Sequence, residues 1–136
     1  MSEKSVYEID GARFSTLEEF FDEISRVLIP GAQWGHGLNS FNDILRGGFG
    51  TPDDGYILVW KNSDLSRDRL GYSETVRQLS RNLKNSQPWY RQSIEIDLNQ
   101  AMNRMGPTVF DWLVEIIRIH CRGGAEEEDN VELILQ

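Results

Sequence analysis

The sequence is poor in cysteine, in histidine and in long apolar segments, and each shortage excludes a class of protein. The single cysteine, Cys121, cannot form an intramolecular disulfide, which suits a reducing compartment. The two histidines show no metal-ligand spacing, whereas zinc needs three or four convergent ligands. No apolar run approaches the roughly 20 residues that span a bilayer, and residues 1–10 lack the apolar core of a signal peptide. We therefore expect a cytoplasmic protein that uses no membrane, metal or other cofactor.

Basic residues are also scarce relative to acidic ones. Lysine and arginine number 14 against 22 aspartates and glutamates, so the formal net charge is -8. This deficit argues against direct nucleic-acid binding, which depends on basic residues that displace phosphate counterions. The charge is uneven, because residues 1–60 and 94–136 each carry -6 whereas residues 61–93 carry +4. We interpret the basic middle as a solvated helix face, and the acidic remainder favours a basic partner.

Apolar periodicity predicts alternating strands and helices within one domain, residues 1–136. Strands are predicted at 6–9, 56–60 and 131–135, and the second is a nearly continuous apolar run, typical of a strand covered on both faces. The predicted helices are one with a capping box at Ser15 and Glu18, one from residue 73, one at 93–105 and one from Pro107 to residue 120. Residues 61–71 are polar, with a turn or helix cap at 62–64, and a break is predicted at 85–88. This order favours an α/β fold with a three-stranded parallel sheet.

A short helix between glycines dominates the stretch WGHGLNSFNDILRGGFGTP, residues 34–52. Its apolar positions fall on one side of a helical wheel and predict a buried face: Leu38, Phe41, Ile44 and Leu45. Its polar positions fall roughly opposite: His36, Asn39, Asp43 and Arg46. The glycines on both sides free the backbone before the helix and end it afterwards. The pattern therefore predicts a rigidly packed helix that presents polar groups to a partner, with Trp34 and Phe49 either in the core or at its rim.

Catalytic constellations are weak in this sequence. His36 and Asp43 are seven residues apart, which on a helix separates them by about 10 Å, too far for a direct hydrogen bond. Cys121 has no visible base partner, so a nucleophilic role is disfavoured. His120 is interpreted as a packed helix end, and the acidic run at 126–129 as a solvated loop. A small hydrolase that uses His36 and Asp43 is the third and weakest of the functional hypotheses.

Taken together, these features resemble the barstar family of intracellular ribonuclease inhibitors. The resemblance rests on IDG at 9–11, on WGHGLNSFNDIL at 34–45, and on Pro52 followed by the strand ILVW at 57–60. The apolar spacing of the first helix agrees with it: Leu17, Phe20, Ile24 and Leu28. NVELILQ at 130–136 resembles the family's last strand, while residues 61–125 match loosely and form a longer middle section than the smallest members have.

The resemblance implies a barstar-like fold in which the second helix and the loop before it, residues 34–46, plug a ribonuclease active site. In the family this helix carries an acidic residue that occupies the substrate-phosphate pocket, and Asp43 stands at the matching position. An inhibitor or immunity protein is implied rather than an enzyme, a monomer when free, whose partner is a basic extracellular or toxin-type ribonuclease. The implied partner-binding residues are Asp43, Asn39, Trp34, His36, Gly37, Asn42 and Arg46.

Four positions depart from the family pattern. Gly37, Asn39 and Asn42 stand where the family usually has an asparagine, a second aspartate and a tryptophan. Arg46 stands at a position that is usually neutral, so the helix has lost negative charge. These departures indicate a target other than barnase, with a modified pocket. They also leave open the alternative of a barstar-like interaction domain whose partner is not a ribonuclease.

Overall fold

The computed structural model describes residues 4–136, which form three strands, six helices and two 3-10 turns. The strands are β1 (Ser5–Asp10), β2 (Tyr56–Lys61) and β3 (Val131–Leu135). The helices are α1 (Leu17–Val27), α2 (Leu38–Arg46), α3 (Ser63–Arg69), α4 (Tyr72–Asn85), α5 (Pro88–Met102) and α6 (Val109–Ile119). The 3-10 turns are Gly11–Arg13 and Glu127–Asp129. Within residues 4–136, no helix has the length and apolar character needed to cross a membrane.

The three strands form one parallel sheet in the order β1-β2-β3. Tyr56 pairs with Ser5 on one side and with Val131 on the other, which places β2 in the centre. This position explains the continuous apolar sequence of β2, because Tyr56, Leu58 and Trp60 are almost completely buried. Parallel strands need long crossover connections, and here helices provide them. The predicted α/β fold with a three-stranded parallel sheet is confirmed.

Phe20 of α1 is the centre of an aromatic cluster that joins α1, α2, β2 and α6. Its ring centroid lies 5.3 Å from that of Phe41 on α2 and 5.2 Å from that of Trp60 on β2. Phe14 and Phe110 pack on the same Trp60 ring at 6.0 and 5.1 Å. All five side chains are buried, and each aromatic pair adds about 0.5–1.5 kcal/mol beyond its area burial. The cluster therefore fixes α2 against α1 and the sheet.

The cap of α1 lies one residue later than predicted. The Thr16 hydroxyl accepts a hydrogen bond from the Glu19 N–H at 3.2 Å, and the Glu19 carboxylate accepts one from the Ser15 N–H at 2.9 Å. The predicted capping box of Ser15 with Glu18 is therefore wrong. Glu18 is free to reach outward, where its carboxylate binds Arg77 and Arg81 of α4.

The middle of the chain is more helical than its sequence pattern indicates. α3 lies within the polar segment 61–71, where only a turn or cap was predicted. Its two buried inward positions hold Ser63 and Ser66, so no apolar periodicity shows in the sequence. Ser66 Oγ accepts a hydrogen bond from the Trp60 indole N–H at 2.9 Å, and Ser63 Oγ donates one to the Gln136 carbonyl at the same distance. The inward positions of α3 therefore hold small polar side chains instead of apolar ones, because the serine hydroxyls form hydrogen bonds with buried polar groups beside them.

Two prolines lie at other positions relative to the helix starts than the sequence pattern predicts. α5 begins at Pro88 rather than at residue 93, because proline suits the first position of a helix, and the predicted break at 85–88 shrinks to a short turn. Pro107 precedes α6 instead of lying in its first turn, since Thr108 caps that helix in a reciprocal capping box with Asp111.

α5 packs mainly on α4 and leaves four large apolar side chains exposed: Trp89, Tyr90, Ile96 and Met102.

The basic middle of the chain carries two arginines that bind α1. Arg77 binds Glu18 of α1 through Nη2 at 2.6 Å and Glu74 of its own helix through Nε at 2.6 Å. Arg81 also contacts Glu18, at 3.2 Å. Both arginines are exposed, as a solvated helix face requires, and their ion pairs with Glu18 also tie α4 to the acidic side of α1.

Glu74 is a buried carboxylate that joins α4 to the start of α1. Its Oε2 accepts hydrogen bonds from the Leu17 N–H at 2.8 Å and the Gln78 side chain at 3.0 Å, while Arg77 binds both of its oxygens. Burial alone would raise the pKa of Glu74, but the hydrogen bonds from Arg77, Gln78 and Leu17 outweigh it and lower the pKa below the usual value. The folded state therefore favours the ionised form.

Replacing Glu74 with glutamine tests this link. A group whose pKa is lowered on folding contributes stability above its unfolded pKa, and that stability is lost as the pH falls through the folded pKa. We expect Glu74→Gln to lower the free energy of unfolding at pH 7 by about 1–3 kcal/mol. We also expect a shallower loss of stability than wild type below about pH 4. Urea denaturation across pH measures both, and the exposed Glu95→Gln on α5 is the control. A wild-type pH slope in Glu74→Gln would contradict the assignment.

Candidate partner-binding face on helix α2

Helix α2 is seated by its apolar face, as predicted. Phe41, Ile44 and Leu45 are at most 1% exposed, whereas Leu38, also predicted to be buried, is only partly buried and packs against the core. The helix begins after Gly37, which serves as an N-cap without a side chain, and ends at Gly47, whose φ of +111° favours glycine. The buried face fixes which side of α2 turns outward.

The outward side of α2 carries Asn39, Asp43 and Arg46, all exposed. Asp43 Oδ1 accepts a hydrogen bond from Arg46 Nη1 at 2.9 Å, one helical turn away. The prediction that these three positions face away from the core is confirmed. Their contact with a partner stays a prediction.

Arg46 also binds the segment that follows α6. Its Nε donates to Glu126 Oε1 at 2.7 Å and its Nη2 to Glu126 Oε2 at 3.3 Å, so the guanidinium holds this carboxylate with two bonds. The hydrogen bond from Arg46 lowers the pKa of Glu126, and Glu126 in turn raises the pKa of Arg46. The Glu126 N–H is bound to the Ile119 carbonyl at 2.8 Å, which ties its backbone to α6. Asp43, Arg46 and Glu126 therefore form one charged chain across two parts of the structure.

His36 does not share a helical face with Asp43. It precedes α2 and has a positive φ of 50°. Its ring lies 4.3 Å from that of Trp34, its Nε2 lies 3.4 Å from Ser25 Oγ, and its Nδ1 lies 3.9 Å from Asp22 of α1. The common face inferred for His36 and Asp43 is therefore wrong, and the partner of Asp43 is Arg46. This arrangement removes the basis for an acid–base pair.

Trp34 fastens the loop before α2 to α1. Its indole N–H donates to Ser25 Oγ at 2.7 Å, and its ring meets Phe21 edge-on at 5.4 Å. Trp34 and Phe49 are both half-buried and pack against the core, so they lie at its rim. Gly35 approaches Ser40 closely, because a Cβ atom at Gly35 would lie 2.5 Å from Ser40 Oγ. The loop is therefore packed against the elements on both sides of it.

His120 is a buried residue that reaches the back of α2. It is fully buried at the end of α6, so the interpretation as a packed helix end is confirmed. Its Nε2 lies 2.6 Å from Asn42 Oδ1, and its Nδ1 lies 2.6 Å from Asp129 Oδ2. Asn42, predicted to bind a partner, thus turns its amide towards His120. Nothing in the sequence indicated this contact, because the two residues are 78 positions apart and neither has a motif.

Three groups near the end of α6 lie close enough to hold a cation. One ligand atom each of His120, Glu126 and Asp129 lies within 4.8 Å of the others. Each side chain already has protein partners, since the imidazole binds Asn42 and Asp129 while Glu126 binds Arg46. The acidic run 126–129 is accordingly only partly solvated, which corrects its interpretation as a loop directed to solvent.

Two grooves flank these elements. An open groove of about 500 Å³ lies beside the start of α2, between α1, α4 and α6, and includes His36, Gly37, Asn39 and Trp112 in its lining. A larger groove of about 790 Å³ follows the edge of β3 and the end of α6, where Cys121 lies. Burial raises the pKa of the Cys121 thiol, which disfavours the thiolate that a nucleophile would need. The first groove therefore adjoins the candidate face, and the second adjoins an unreactive cysteine.

These observations define a small α/β protein that presents one short, firmly packed helix with an exposed carboxylate. The family model described as "Barstar (barnase inhibitor)" matches residues 4–98, and the chain belongs to the barstar family. The match covers β1 to most of α5, so α6, the acidic segment and β3 lie beyond it. The family is one of inhibitors that bind ribonucleases, rather than of enzymes. Neither the comparison with curated proteins nor that with solved structures gives a match.

Replacing His120 with asparagine tests its anchoring role. The substitution removes a buried imidazole and leaves Asn42 and Asp129 without their partner, so we expect the free energy of unfolding to fall by about 1–3 kcal/mol. His36→Asn is the matched control, because His36 is exposed and asparagine tolerates a positive φ. We expect a change within about 0.5 kcal/mol for the control. Urea denaturation measures the free energy of unfolding of both variants. Equal losses of stability in the two variants would contradict the anchoring role of His120.

Proposed function

We propose that this protein inhibits a ribonuclease by inserting α2 and the loop before it, residues 34–46, into the enzyme's active site. The observation that carries the proposal is the exposed carboxylate of Asp43 on a helix whose opposite face buries Phe41, Ile44 and Leu45 in the core. Membership of the barstar family supports it, because that family is described by its inhibition of barnase. The proposal assigns the main contact to Asp43 and further contacts to the loop and the rest of the outward face.

Electrostatics support this mode of inhibition. A ribonuclease concentrates positive charge to bind RNA, so a positioned carboxylate competes directly for the phosphate pocket. The net charge of -8 attracts a basic enzyme over a distance and speeds the encounter. The partner is accordingly a basic extracellular or toxin-type ribonuclease, and the inhibitor acts in the cytoplasm as protection or immunity against it.

The other residues divide between contact and support. Asn39 is exposed beside Asp43 and lines the groove at the start of α2, where Gly37 and His36 also lie. These three groups form the rim of the contact around Asp43. Trp34 and Asn42 support the contact residues instead of contacting the partner, since their polar atoms are bound to Ser25 and His120. Side chains with fixed positions favour tight binding because less freedom is lost in the complex.

One observation favours a second candidate function. Arg46 is bound to Asp43, and Asn39 carries no charge, so this face is less negative than the family pattern. A barstar-like interaction domain with a partner other than a ribonuclease would use the same face with mixed charges. Recovery of the stoichiometric partner from the native cell distinguishes the two, since only the first proposal requires a basic nuclease.

Replacing Asp43 with alanine tests the proposed contact. We expect the complex with the target ribonuclease to weaken by about 2 kcal/mol or more, because the proposal places Asp43 at the centre of the contact. The free energy of unfolding is expected to change by less than about 0.5 kcal/mol, because Asp43 is exposed. Calorimetric titration against a panel of basic microbial ribonucleases, barnase among them, measures the first effect.

Asp97→Ala on α5 is the matched control for this experiment. It removes the same charge from another exposed helical position, so we expect binding to remain close to wild type. Binding of Asp43→Ala as tight as that of the wild-type protein would eliminate Asp43 from the interface. Absence of binding by the wild-type protein across the whole panel would argue for the second candidate function.

A further inference from the structure

We infer that Arg46 is a specificity-determining residue. In the free protein its guanidinium is bound to the Asp43 carboxylate, so a cation of the partner must compete with Arg46 for that carboxylate. This inference rests on the proposed function and concerns the same face. It starts from one contact, the 2.9 Å bond between Arg46 Nη1 and Asp43 Oδ1. The group that the proposed partner must bind is therefore already bound to a guanidinium of this chain.

Arg46 is held in this position from two sides. An ion pair three residues apart on an exposed helix contributes little to stability, so Asp43 alone would hold the arginine weakly. Glu126 adds two further hydrogen bonds, at 2.7 and 3.3 Å, in the forked geometry that guanidinium and carboxylate groups favour. Glu126 comes from the segment after α6 and is about one-quarter exposed, compared with about half for Arg46. The second carboxylate therefore turns a weak pair into a charged network with a defined position.

The charges that surround Arg46 show why it acts on Asp43. Three acidic groups lie near Arg46 and raise its pKa. Glu126 belongs to the segment after α6, Asp43 lies on the same helix as Arg46, and Asp129 lies in the 3-10 turn Glu127–Asp129. His120 lies behind them, with its Nε2 3.9 Å from Glu126 Oε2. All of these groups except Asp43 lie towards the body of the protein, where their side chains are less exposed. Asp43 is thus the carboxylate available to a partner, and Arg46 is the charge beside it.

The consequence for a partner is electrostatic. A phosphate pocket lined only with cations meets a positive charge next to the carboxylate that it must bind, and like charges at an interface are unfavourable. Binding then requires the partner's cation to replace Arg46 at Asp43, which leaves Arg46 on Glu126. Arg46 therefore disfavours pockets that contain only cations, while Asp43 attracts the partner. The repulsive and the attractive charge together determine which partner binds.

Removal of the charge at Arg46 tests the inference. We expect Arg46→Gln to bind a basic ribonuclease about three- to tenfold more tightly than wild type, because the competing cation is lost. Arg91→Gln on α5 makes the same change in net charge at another exposed position and is the matched control, with less than about a twofold change. Calorimetric titration against barnase and the other ribonucleases of the panel measures both variants.

A double-mutant cycle shows whether Arg46 acts through Asp43. In an Asp43→Asn background, the gain from Arg46→Gln is expected to be smaller than in the wild-type background, because there is no carboxylate left to release and only the direct repulsion between Arg46 and the pocket remains. A readout that needs no partner is the NMR titration of the Glu126 carboxyl group. Its pKa is expected to rise in Arg46→Gln and to stay unchanged in Arg91→Gln, since Arg46 is what lowers it.

Three results would overturn the inference. Unchanged or weaker ribonuclease binding by Arg46→Gln, with firm binding by wild type, would overturn it and leave the proposed function standing. An unchanged Glu126 titration in Arg46→Gln would show that the network does not form in solution. Failure of wild type and of every variant to bind any ribonuclease of the panel would overturn the proposed function, and this inference with it.

Discussion

The packing of Phe20 against Phe41 and Trp60 is the constraint on which the rest of the structure depends. These rings bring α1, α2 and the central strand together at centroid distances near 5 Å. Because the neighbouring Ile44 and Leu45 are buried in the same core, α2 cannot rotate about its axis without exposing apolar surface. A helix of only nine residues gains its definition from this burial rather than from its own helical propensity.

A second set of contacts, all polar, reaches α2 from the last third of the chain. His120 bonds to Asn42 behind the helix, and Glu126 holds Arg46 on its exposed side. Both residues lie beyond the part of the chain that matches the barstar family. The candidate face therefore combines a helix from the matched region with supports from outside it.

The charges of the protein act at two ranges. Over long distances the net charge of -8 favours basic partners, an effect that salt screens. At short range, Arg46 lies between Asp43 and Glu126, so the local field at the candidate face differs from the average. Elsewhere the same kind of pairing is structural, as Glu74 and Glu18 show where they bind Arg77 between α1 and α4. Position, and not only sign, therefore decides what each charge does.

The sequence by itself determined the α/β class, the three strands, the buried side of α2 and the exposure of Asp43, because apolar periodicity reports which residues leave water. It did not indicate α3, whose inward positions are serines, or the start of α5 at Pro88. Only the tertiary structure decided that Asn42 binds His120 and that Arg46 joins Asp43 to Glu126. Those contacts cross 78 and 80 positions of the chain, and polar side chains carry no periodic signal of their partners.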